Sequence, residues 1–290
     1  MEKPRIGIIG NGFVGSAAVN GFSLHAVLRV YDVDLRKATH TIEDTVLGSD
    51  FLFVSVPTPM KHVEGGEISL DILDSVVAAI VRIIEKSSHN PIIIIRSTVV
   101  PGTVEKYIEQ YPMCRFVFNP EFLTERNANL DFINAPRIIL GGASEDTAVV
   151  ERMYRARFPY RPIICTDVTT AQFIKYMANC FLASKVALMN EFYQIAQRLG
   201  VSWNDALKGF ILDGRIGNSH IDVPGHDGQL GFGGKCFPKD LNAFIHCAEK
   251  AGWDPRVLKA VWDLNLKIRE VYDWAEIAGA VETQKTLFKK

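Results

Sequence analysis

Cys236 is the residue of this chain whose type and surroundings point most directly to covalent chemistry. It lies in the stretch Gly231-Phe-Gly-Gly-Lys-Cys-Phe-Pro-Lys-Asp240, where the preceding glycines permit backbone geometries and a close ligand approach that side chains would block. Lys235 and Lys239 bring positive charge, which favours the nucleophilic thiolate form of a cysteine. Asp240 follows four residues later as a candidate base or orienting group.

A plainer interpretation of the same stretch is a glycine-rich surface turn before a helix, with a half-buried cysteine. A single cysteine without a visible histidine partner is weak support for nucleophilic catalysis. The chemistry of the stretch alone therefore leaves both interpretations open.

Length and composition indicate a globular protein of about two domains, with 290 residues of which 48% are apolar. The net charge of −1 gives no reason to expect nucleic-acid or membrane binding, and no apolar run approaches the ~20 residues of a membrane span. The five cysteines are scattered without a C-x-x-C pair, so we expect neither a metal site nor a disulfide framework. Since Met1 leads almost directly into a strand-like segment, leaving no room for a signal peptide, we expect a cytoplasmic protein.

The N-terminal segment carries the pattern of a dinucleotide-binding site. Arg5–Ile9 has the composition of a buried strand and feeds into the letters GNGFVG, followed by a predicted helix over Phe13–Phe22. In this pattern the first glycine permits a tight turn, the second lets the backbone approach a pyrophosphate, and the third lets the helix pack on the strand. The predicted cofactor-binding residues here are Gly10, Gly12, Phe13, Val14 and Gly15.

A second predicted strand, Val27–Tyr31, ends at Asp32. An acidic side chain at this position would hold a ribose 2′-hydroxyl and repel a 2′-phosphate, and the helix N-terminus would face the pyrophosphate. The sequence therefore predicts NAD rather than NADP as the cofactor.

Strands and helices continue to alternate up to about residue 168, which predicts an α/β fold with a doubly wound, parallel Rossmann-type sheet. Further predicted strands are Asp50–Val56, Pro91–Ile95, Arg115–Phe118, Pro136–Leu140 and Arg161–Cys165, with helices from an N-cap at Ser69 to Lys86 and over Glu145–Arg157. Ligands of such sheets bind at the carboxyl ends of the strands. The polar residues that fall there, which are also ordinary turn formers, are Thr58, Thr98, Glu121 and Glu125.

From about Thr169 the pattern becomes helical. Thr170–Leu199 has helical periodicity, and Lys175 and Asn179 lie one turn apart on it, although a solvated polar stripe is the plainer interpretation. A second long helix is predicted over Asp254–Ile277, with an apolar face formed by Val257, Ala260, Val261, Leu264 and Ile268. We therefore expect an NAD-binding Rossmann domain at 1–168 and a helical central domain at 169–290, with a long connecting and dimerisation helix and the cysteine loop.

Taken together, these stretches resemble the nucleotide-sugar 6-dehydrogenase family, which oxidises UDP-glucose or GDP-mannose. The resemblance runs from Ile6 to about Arg269, and its most specific part is the cysteine loop, residues 231–240. The supporting motifs are Gly10 to Gly15, Val56-Pro-Thr-Pro59, Ser97-Thr98, Asn119-Pro-Glu-Phe-Leu123 with Glu125, the helix with Lys175 and Asn179, and Arg215-Ile-Gly217.

The resemblance implies that the C6 alcohol of the sugar is oxidised to the uronic acid, with two hydride transfers to two NAD molecules. Cys236 would capture the intermediate aldehyde as a thiohemiacetal, whose oxidation gives a thioester for hydrolysis. Lys175 and Asn179 would stabilise the oxyanion at C6. The residues implied to handle the proton and the hydrolytic water are Asp240, Thr98 and Glu125.

The same resemblance assigns binding roles. Cofactor contacts beyond the glycine motif are Asp32, Lys37, Pro57, Thr58, Thr98 and Glu125. Substrate contacts are Glu121, Phe122, Leu123, Lys175, Asn179, Arg215, Phe232, Gly233 and Lys239. Arg215 matches an arginine that family dimers donate to the partner's substrate, which implies a homodimer. Phe237-Pro-Lys and Arg215-Ile-Gly favour UDP-glucose over other nucleotide sugars.

The chain departs from the family pattern in two places. The family carries a third, Rossmann-like domain after the long helix, whereas this sequence stops at Lys290, so we expect weaker substrate binding. The segment His220–Gln229 lengthens the connection between Arg215 and Cys236, and we expect it to reshape the substrate loop.

Two other functions remain open. A β-hydroxyacid dehydrogenase of the same two-domain plan would use Lys175 for a single hydride transfer, but it leaves Cys236 and Asp240 without a role. A nucleotide-binding or dimerisation protein without catalysis is the second alternative, and the complete set of matching site residues speaks against it.

Overall fold

The computed structural model describes residues 2–282 and divides into two compact units. The first comprises the chain up to Thr58 together with Ser69–Lys175, and the second comprises Pro59–Ile68 and the chain from Tyr176 onward. The predicted domains, 1–168 and 169–290, stay a prediction, and their outermost residues, Met1 and 283–290, lie outside the described residues.

The elements follow in chain order. They are β1 (Arg5–Ile9), α1 (Phe13–Phe22), β2 (Val27–Tyr31), α2 (Ile42–Leu47), β3 (Phe51–Val54), β4 (Met60–His62), β5 (Gly65–Ile68), α3 (Asp71–Glu85), β6 (Ile92–Ile95), α4 (Thr103–Gln110), β7 (Arg115–Phe118), α5 (Ala128–Ile133), β8 (Ile138–Gly142), α6 (Ser144–Arg157), β9 (Ile163–Thr166), α7 (Val168–Leu199), α8 (Trp203–Ile211), α9 (Phe237–Lys250) and α10 (Arg256–Ile268). Short 3₁₀ turns lie at Leu35–Lys37, Glu125–Asn127 and Asp273–Ala275.

The first unit is built on a seven-stranded sheet of order β2-β1-β3-β6-β7-β8-β9. Its inner strands are continuous apolar runs because both faces are covered. Ile8 and Phe53 belong to the core cluster on one face, and their neighbours Ile9 and Val54 belong to the cluster on the other. The α/β prediction with a Rossmann-type sheet is confirmed.

The prediction of an all-parallel sheet needs one correction. Strand β8 runs antiparallel to β7, with Val117 opposite Gly142, while the other neighbours pair in parallel. The connection from β7 to β8 carries the 3₁₀ turn Glu125–Asn127 and the six-residue helix α5, and α5 packs on α1 through Phe132 and Phe22. Residues 119–137 are long enough for a parallel crossover, so the length of the connection does not by itself set the antiparallel direction.

The second unit is mainly helical and contains a two-stranded β4–β5 hairpin that the sequence did not indicate. Two buried indoles fasten this hairpin to the helical part. Trp262 Nε1 donates a hydrogen bond to Glu64 O (2.9 Å), and Trp274 Nε1 donates one to Val63 O (2.8 Å).

Several predicted helix boundaries differ from the observed ones. The helix predicted over Asp254–Ile277 ends at Ile268, since Arg269 takes an extended conformation. Within its predicted apolar face Val257 is 72% exposed, whereas Asn265 and Arg269 are buried because their polar groups find partners in the second unit. Helix α3 begins one residue later than predicted, with Leu70 rather than Ser69 at the N-cap.

Candidate active site

The three glycines of the N-terminal motif have different surroundings. Gly10 has φ +89°, and a Cβ there would lie 2.6 Å from Ser55 O; a Cβ on Gly15 would lie 2.0 Å from Gly10 O. Both positions therefore require glycine for the turn and for helix packing. A Cβ on Gly12 would meet nothing within 4 Å. This open approach to the N-terminus of α1, which begins at Phe13, fits the pyrophosphate of a dinucleotide.

Asp32 is fixed at the end of β2 by two backbone donors. Asn11 N–H donates to Oδ2 (2.6 Å) and Asp34 N–H donates to Oδ1 (2.8 Å). Each carboxylate oxygen keeps a further lone pair, so the carboxylate can still accept a ribose hydroxyl. Lys37 is exposed, and its carbonyl accepts a hydrogen bond from Asn11 Nδ2 (2.9 Å). The cofactor roles of these side chains stay predictions.

The hydroxyl groups of Ser97 and Thr58 form hydrogen bonds between the loop that follows β3 and the loop that follows β6. Ser97 Oγ accepts from Val56 N–H (2.9 Å) and donates to Val56 O (2.7 Å). Thr58 is buried and donates to Thr98 O (2.8 Å), so its hydroxyl hydrogen is engaged in holding this loop. Pro57 is exposed and Thr98 half-buried.

Lys175 and Glu121 form a buried ion pair within the first unit, an interaction that the sequence did not predict. Lys175 Nζ lies 2.9 Å from Glu121 Oε1 and 2.6 Å from Glu121 O, and the two side chains are 3% and 5% exposed. Glu121 Oε2 accepts from Leu123 N–H (2.8 Å). The carboxylate predicted to contact substrate therefore holds the lysine and shapes its own loop, because a buried ammonium needs a counter-charge.

The remaining residues of this segment are more accessible. Phe122 is half-buried, with its ring centroid 5.4 Å from Lys175 Nζ. Glu125 is exposed and begins a 3₁₀ turn. Their substrate and cofactor roles stay predictions.

Cys236 lies at the N-cap of α9 and is half-buried. One turn along the helix, Asp240 is 1% exposed and receives two donors within the second unit. Asn179 Nδ2 lies 2.5 Å from Oδ2, and Lys239 Nζ lies 2.6 Å from Oδ1. Lys239, predicted as a substrate contact, therefore neutralises the buried Asp240 carboxylate.

Four further thiols lie in the described part of the chain. Burial raises the pKa of Cys114, Cys180 and Cys247. The pKa of the exposed Cys165 is raised as well, by desolvation and by the charge of Glu151. A raised pKa disfavours the nucleophilic thiolate, so these four cysteines are poor candidates for nucleophilic catalysis.

Distant polar side chains anchor the backbone that leads to Cys236. Asn190 Oδ1 accepts from Gly231 N–H (3.0 Å). Asn265 accepts from Phe232 N–H (2.7 Å) and donates to Phe232 O (3.1 Å). Asp273 Oδ2 accepts from Gly234 N–H (2.9 Å). Sequence reasoning missed these anchors, and the signal it passed over was a polar pair, Asn265 and Arg269, spaced i, i+4 in the helix predicted over Asp254–Ile277.

Arg269 holds the anchors in place. Its side chain is fully buried and Nη2 lies 2.6 Å from Asp227 Oδ2 and 2.8 Å from Asp273 Oδ1. A Cβ on Gly233 would lie 2.1 Å from Arg269 Nη2, so only glycine fits beside the guanidinium. Asp227 belongs to the segment 220–229 that lengthens the connection, which gives that segment a structural role.

Two predicted substrate contacts have other surroundings. Phe232 is 4% exposed and its ring packs in the core of the second unit against Trp262, while its backbone N–H and carbonyl are both bonded to Asn265. Arg215 is exposed and pairs with Asp213 at 2.5 Å, which lowers the pKa of that carboxyl. The dimer contact predicted for Arg215 stays a prediction.

In the described part of the chain, no group of three or more metal-ligating side chains comes together. Among those same residues, none of the helices combines the length and the apolar character that crossing a membrane requires.

Comparisons with known proteins show which family this chain matches. Residues 24–158 match the UDP-glucose/GDP-mannose dehydrogenase family, NAD binding domain, and residues 169–267 match the central domain of the same family. The first match confirms NAD as the predicted cofactor.

Individual relatives point the same way. The chain is 34% identical to a UDP-glucose 6-dehydrogenase of Rickettsia conorii over 80% of this chain and 52% of that protein. It is 32% identical to UDP-glucose 6-dehydrogenase AglM of Haloferax volcanii over 87% and 60%. A solved UDP-glucose dehydrogenase of Pyrobaculum islandicum superposes with TM-score 0.81 at 27% identity, over 92% of this chain and 68% of that one. The chain thus spans about half the length of the curated relatives that it matches.

Proposed function

This chain belongs to the UDP-glucose/GDP-mannose dehydrogenase family, and from that premise we propose that it oxidises the C6 alcohol of a nucleotide sugar to the uronic acid. UDP-glucose is the proposed substrate, as in the names of the relatives. The observation that carries the proposal is Cys236 at the start of α9, one turn from the buried Asp240 with its donors Asn179 and Lys239.

The proposed reaction removes two hydrides from C6, and each is accepted by one bound NAD. After the first step the Cys236 thiolate adds to the aldehyde carbon and forms a C–S bond, giving a thiohemiacetal that can again lose a hydride. The product of the second step is a thioester. Water adds to its carbonyl, the C–S bond breaks, and the thiolate is regenerated beside the carboxylic acid.

The surroundings of Cys236 support this role. It precedes a helix of 14 residues, and the free N–H groups and partial positive charge at a helix N-terminus stabilise an anion. The flanking Lys235 adds a positive charge. Both effects favour a sulfur that is negatively charged when it attacks and when it leaves.

Asn179 and Lys175 supply the proposed stabilisation of charge at C6. One amide hydrogen of Asn179 is donated to Asp240, which fixes the orientation of the amide and leaves the second hydrogen for an oxyanion. Asp240 is thus proposed as a positioning residue, with Lys239 compensating its buried charge. Glu121 plays the equivalent part for Lys175.

We also propose a homodimer through α7. In the second unit this helix exposes a stripe of large apolar side chains at helical spacing, namely Met177 (54%), Phe181 (68%), Leu188 (48%), Phe192 (42%), Ile195 (48%) and Leu199 (72%). A second copy of the stripe would remove this apolar surface from water.

The test is to incubate the chain with NAD and a panel of nucleotide sugars, and to measure NADH and uronic acid together. Two NADH per uronic acid are expected, with UDP-glucose reacting fastest. One NADH per substrate with an aldehyde or ketone product would contradict the four-electron reaction. NAD binding without turnover of any sugar would contradict catalysis altogether.

A further inference from the structure

A cleft in the first unit contains none of the proposed catalytic residues, although Glu121, Phe122 and Leu123, predicted to contact substrate, form part of its wall. Three arginines, Arg96, Arg137 and Arg161, line it together with aromatic walls formed by Phe122, Phe132, Tyr154 and Phe158. Glu121 is the one acidic side chain among the lining residues, and its charge is balanced by Lys175. The cleft therefore carries an excess of positive charge.

Arg96 is the unusual member, because it is 4% exposed and pairs with no carboxylate in the described part of the chain. Its Nη1 donates to Asn119 Oδ1 and to Tyr154 Oη (3.1 Å), which are neutral groups. Burial raises the pKa of Tyr154, so its hydroxyl stays protonated. Within residues 2–282, Arg96 Nε has no hydrogen-bond partner. A buried guanidinium without a carboxylate is costly unless something else neutralises it.

Aromatic contacts compensate only part of this charge. The guanidinium carbon of Arg96 lies 5.5 Å from the ring centroid of Phe53 and 5.4 Å from that of Phe132. Such contacts are weaker than a hydrogen-bonded ion pair. Arg137 lies 4.4 Å over the Phe122 ring, and Arg161 Nη2 donates to Ile133 O (2.8 Å). These two arginines leave further N–H donors for a ligand in the cleft.

We propose that this cleft binds a tetrahedral oxyanion, phosphate or sulfate, which completes the hydrogen bonding of Arg96. Guanidinium groups suit such ions because their planar forks donate to two oxygens at once. The site is separate from the glycine motif at residues 10–15 and does not depend on the proposed function.

Thermal denaturation of the full chain in inorganic phosphate, and separately in sulfate, tests the proposal at constant ionic strength with chloride as reference. A ligand of the folded state raises Tm with increasing concentration. Arg137→Gln and Arg161→Gln are each expected to weaken the apparent phosphate affinity by about tenfold, since each removes a hydrogen bond to a charged group. Arg152→Gln, an exposed residue outside the cleft, removes the same charge and should leave the affinity unchanged.

Phosphate could also occupy the glycine motif, so Gly12→Val serves as a second arm. Its side chain fits the open space beside Gly12 and would block binding there. The proposal holds if the Tm shift survives Gly12→Val and weakens in the arginine variants. It is overturned if neither anion shifts Tm beyond chloride, if the shift disappears only in Gly12→Val, or if Arg152→Gln weakens it as much as the cleft variants do.

Discussion

The two glycine-rich segments of this chain, residues 10–15 and 231–234, are held in different ways. In the first, Gly10 N–H donates to Tyr31 O on the neighbouring strand (2.9 Å), and the turn packs against its own helix. In the second, side chains from distant positions bind the backbone, with Asn190 and Asn265 as two of the anchors. The first geometry depends on backbone and local spacing, whereas the second depends on tertiary partners.

The largest effect is expected where the anchored segment ends, at Cys236. Cys236→Ser should lower uronic acid formation by on the order of a thousandfold or more, because loss of a covalent nucleophile removes the thioester route. Uronic acid and NADH are measured together. Cys247→Ser is the matched control on the same helix and should retain activity. Undiminished uronic acid formation by the Cys236 variant would refute the thioester.

Replacing Arg269, which lies buried among the anchors, is expected to have the next largest effect. Arg269→Met leaves Asp227 and Asp273 without their guanidinium and should lower the free energy of unfolding by about 3 kcal/mol, measured by urea denaturation. Arg256→Met, at the start of the helix that ends just before Arg269, breaks a pair whose arginine side chain is 88% exposed and should cost less than about 1 kcal/mol. Equal losses in the two variants would mean that the buried cluster adds nothing.

Two substitutions separate the structural role of the glycine motif at residues 10–15 from its predicted role in NAD binding. Gly15→Ala places a methyl group against Gly10 O and should lower the free energy of unfolding by about 2 kcal/mol. Gly12→Ala meets no neighbour, so stability should change by no more than about 0.5 kcal/mol, while NAD affinity should fall because the methyl group occupies the approach to the pyrophosphate. Denaturation and NAD titration measure the two effects. A stable Gly15→Ala variant, or unchanged NAD affinity in Gly12→Ala, would contradict this division.

The smallest expected effect is on the pH dependence of stability in acid. Lys250 and Lys61 lower the pKa of Glu67 to about 2 from a usual value of 4.5. The unfolded chain therefore binds the proton more readily than the folded one. The stabilisation is fully present above pH 4.5 and should be lost as the pH falls towards about 2. Glu67→Gln should remove this part of the pH dependence in urea denaturation, and an identical pH profile in both proteins would contradict it.

Features held by local contacts were predicted from the sequence, whereas features held by distant side chains were not. The strands and the glycine turn were predicted because each signal is local: runs such as Ile92–Ile95 are buried on both faces, and Asp32 stands directly after its strand. The anchors were not predicted, since nothing near Arg269 in the sequence reveals that Asp227 and Asp273 bury its charge. The ion pairs Lys175–Glu121 and Lys239–Asp240 were also not predicted, because their partners too are identified only by the fold. In both pairs, residues predicted to contact substrate compensate a buried charge.

Residues 59–68 have a practical consequence for dissecting the molecule. The polypeptide passes from one compact unit to the other after Thr58, returns after Ile68 and passes again after Lys175. No single cut can therefore yield both units intact, because an N-terminal fragment would carry away the hairpin that Trp262 and Trp274 hold. To produce the units separately, a short linker would have to replace the hairpin in the first fragment, and the hairpin would have to be grafted onto the second.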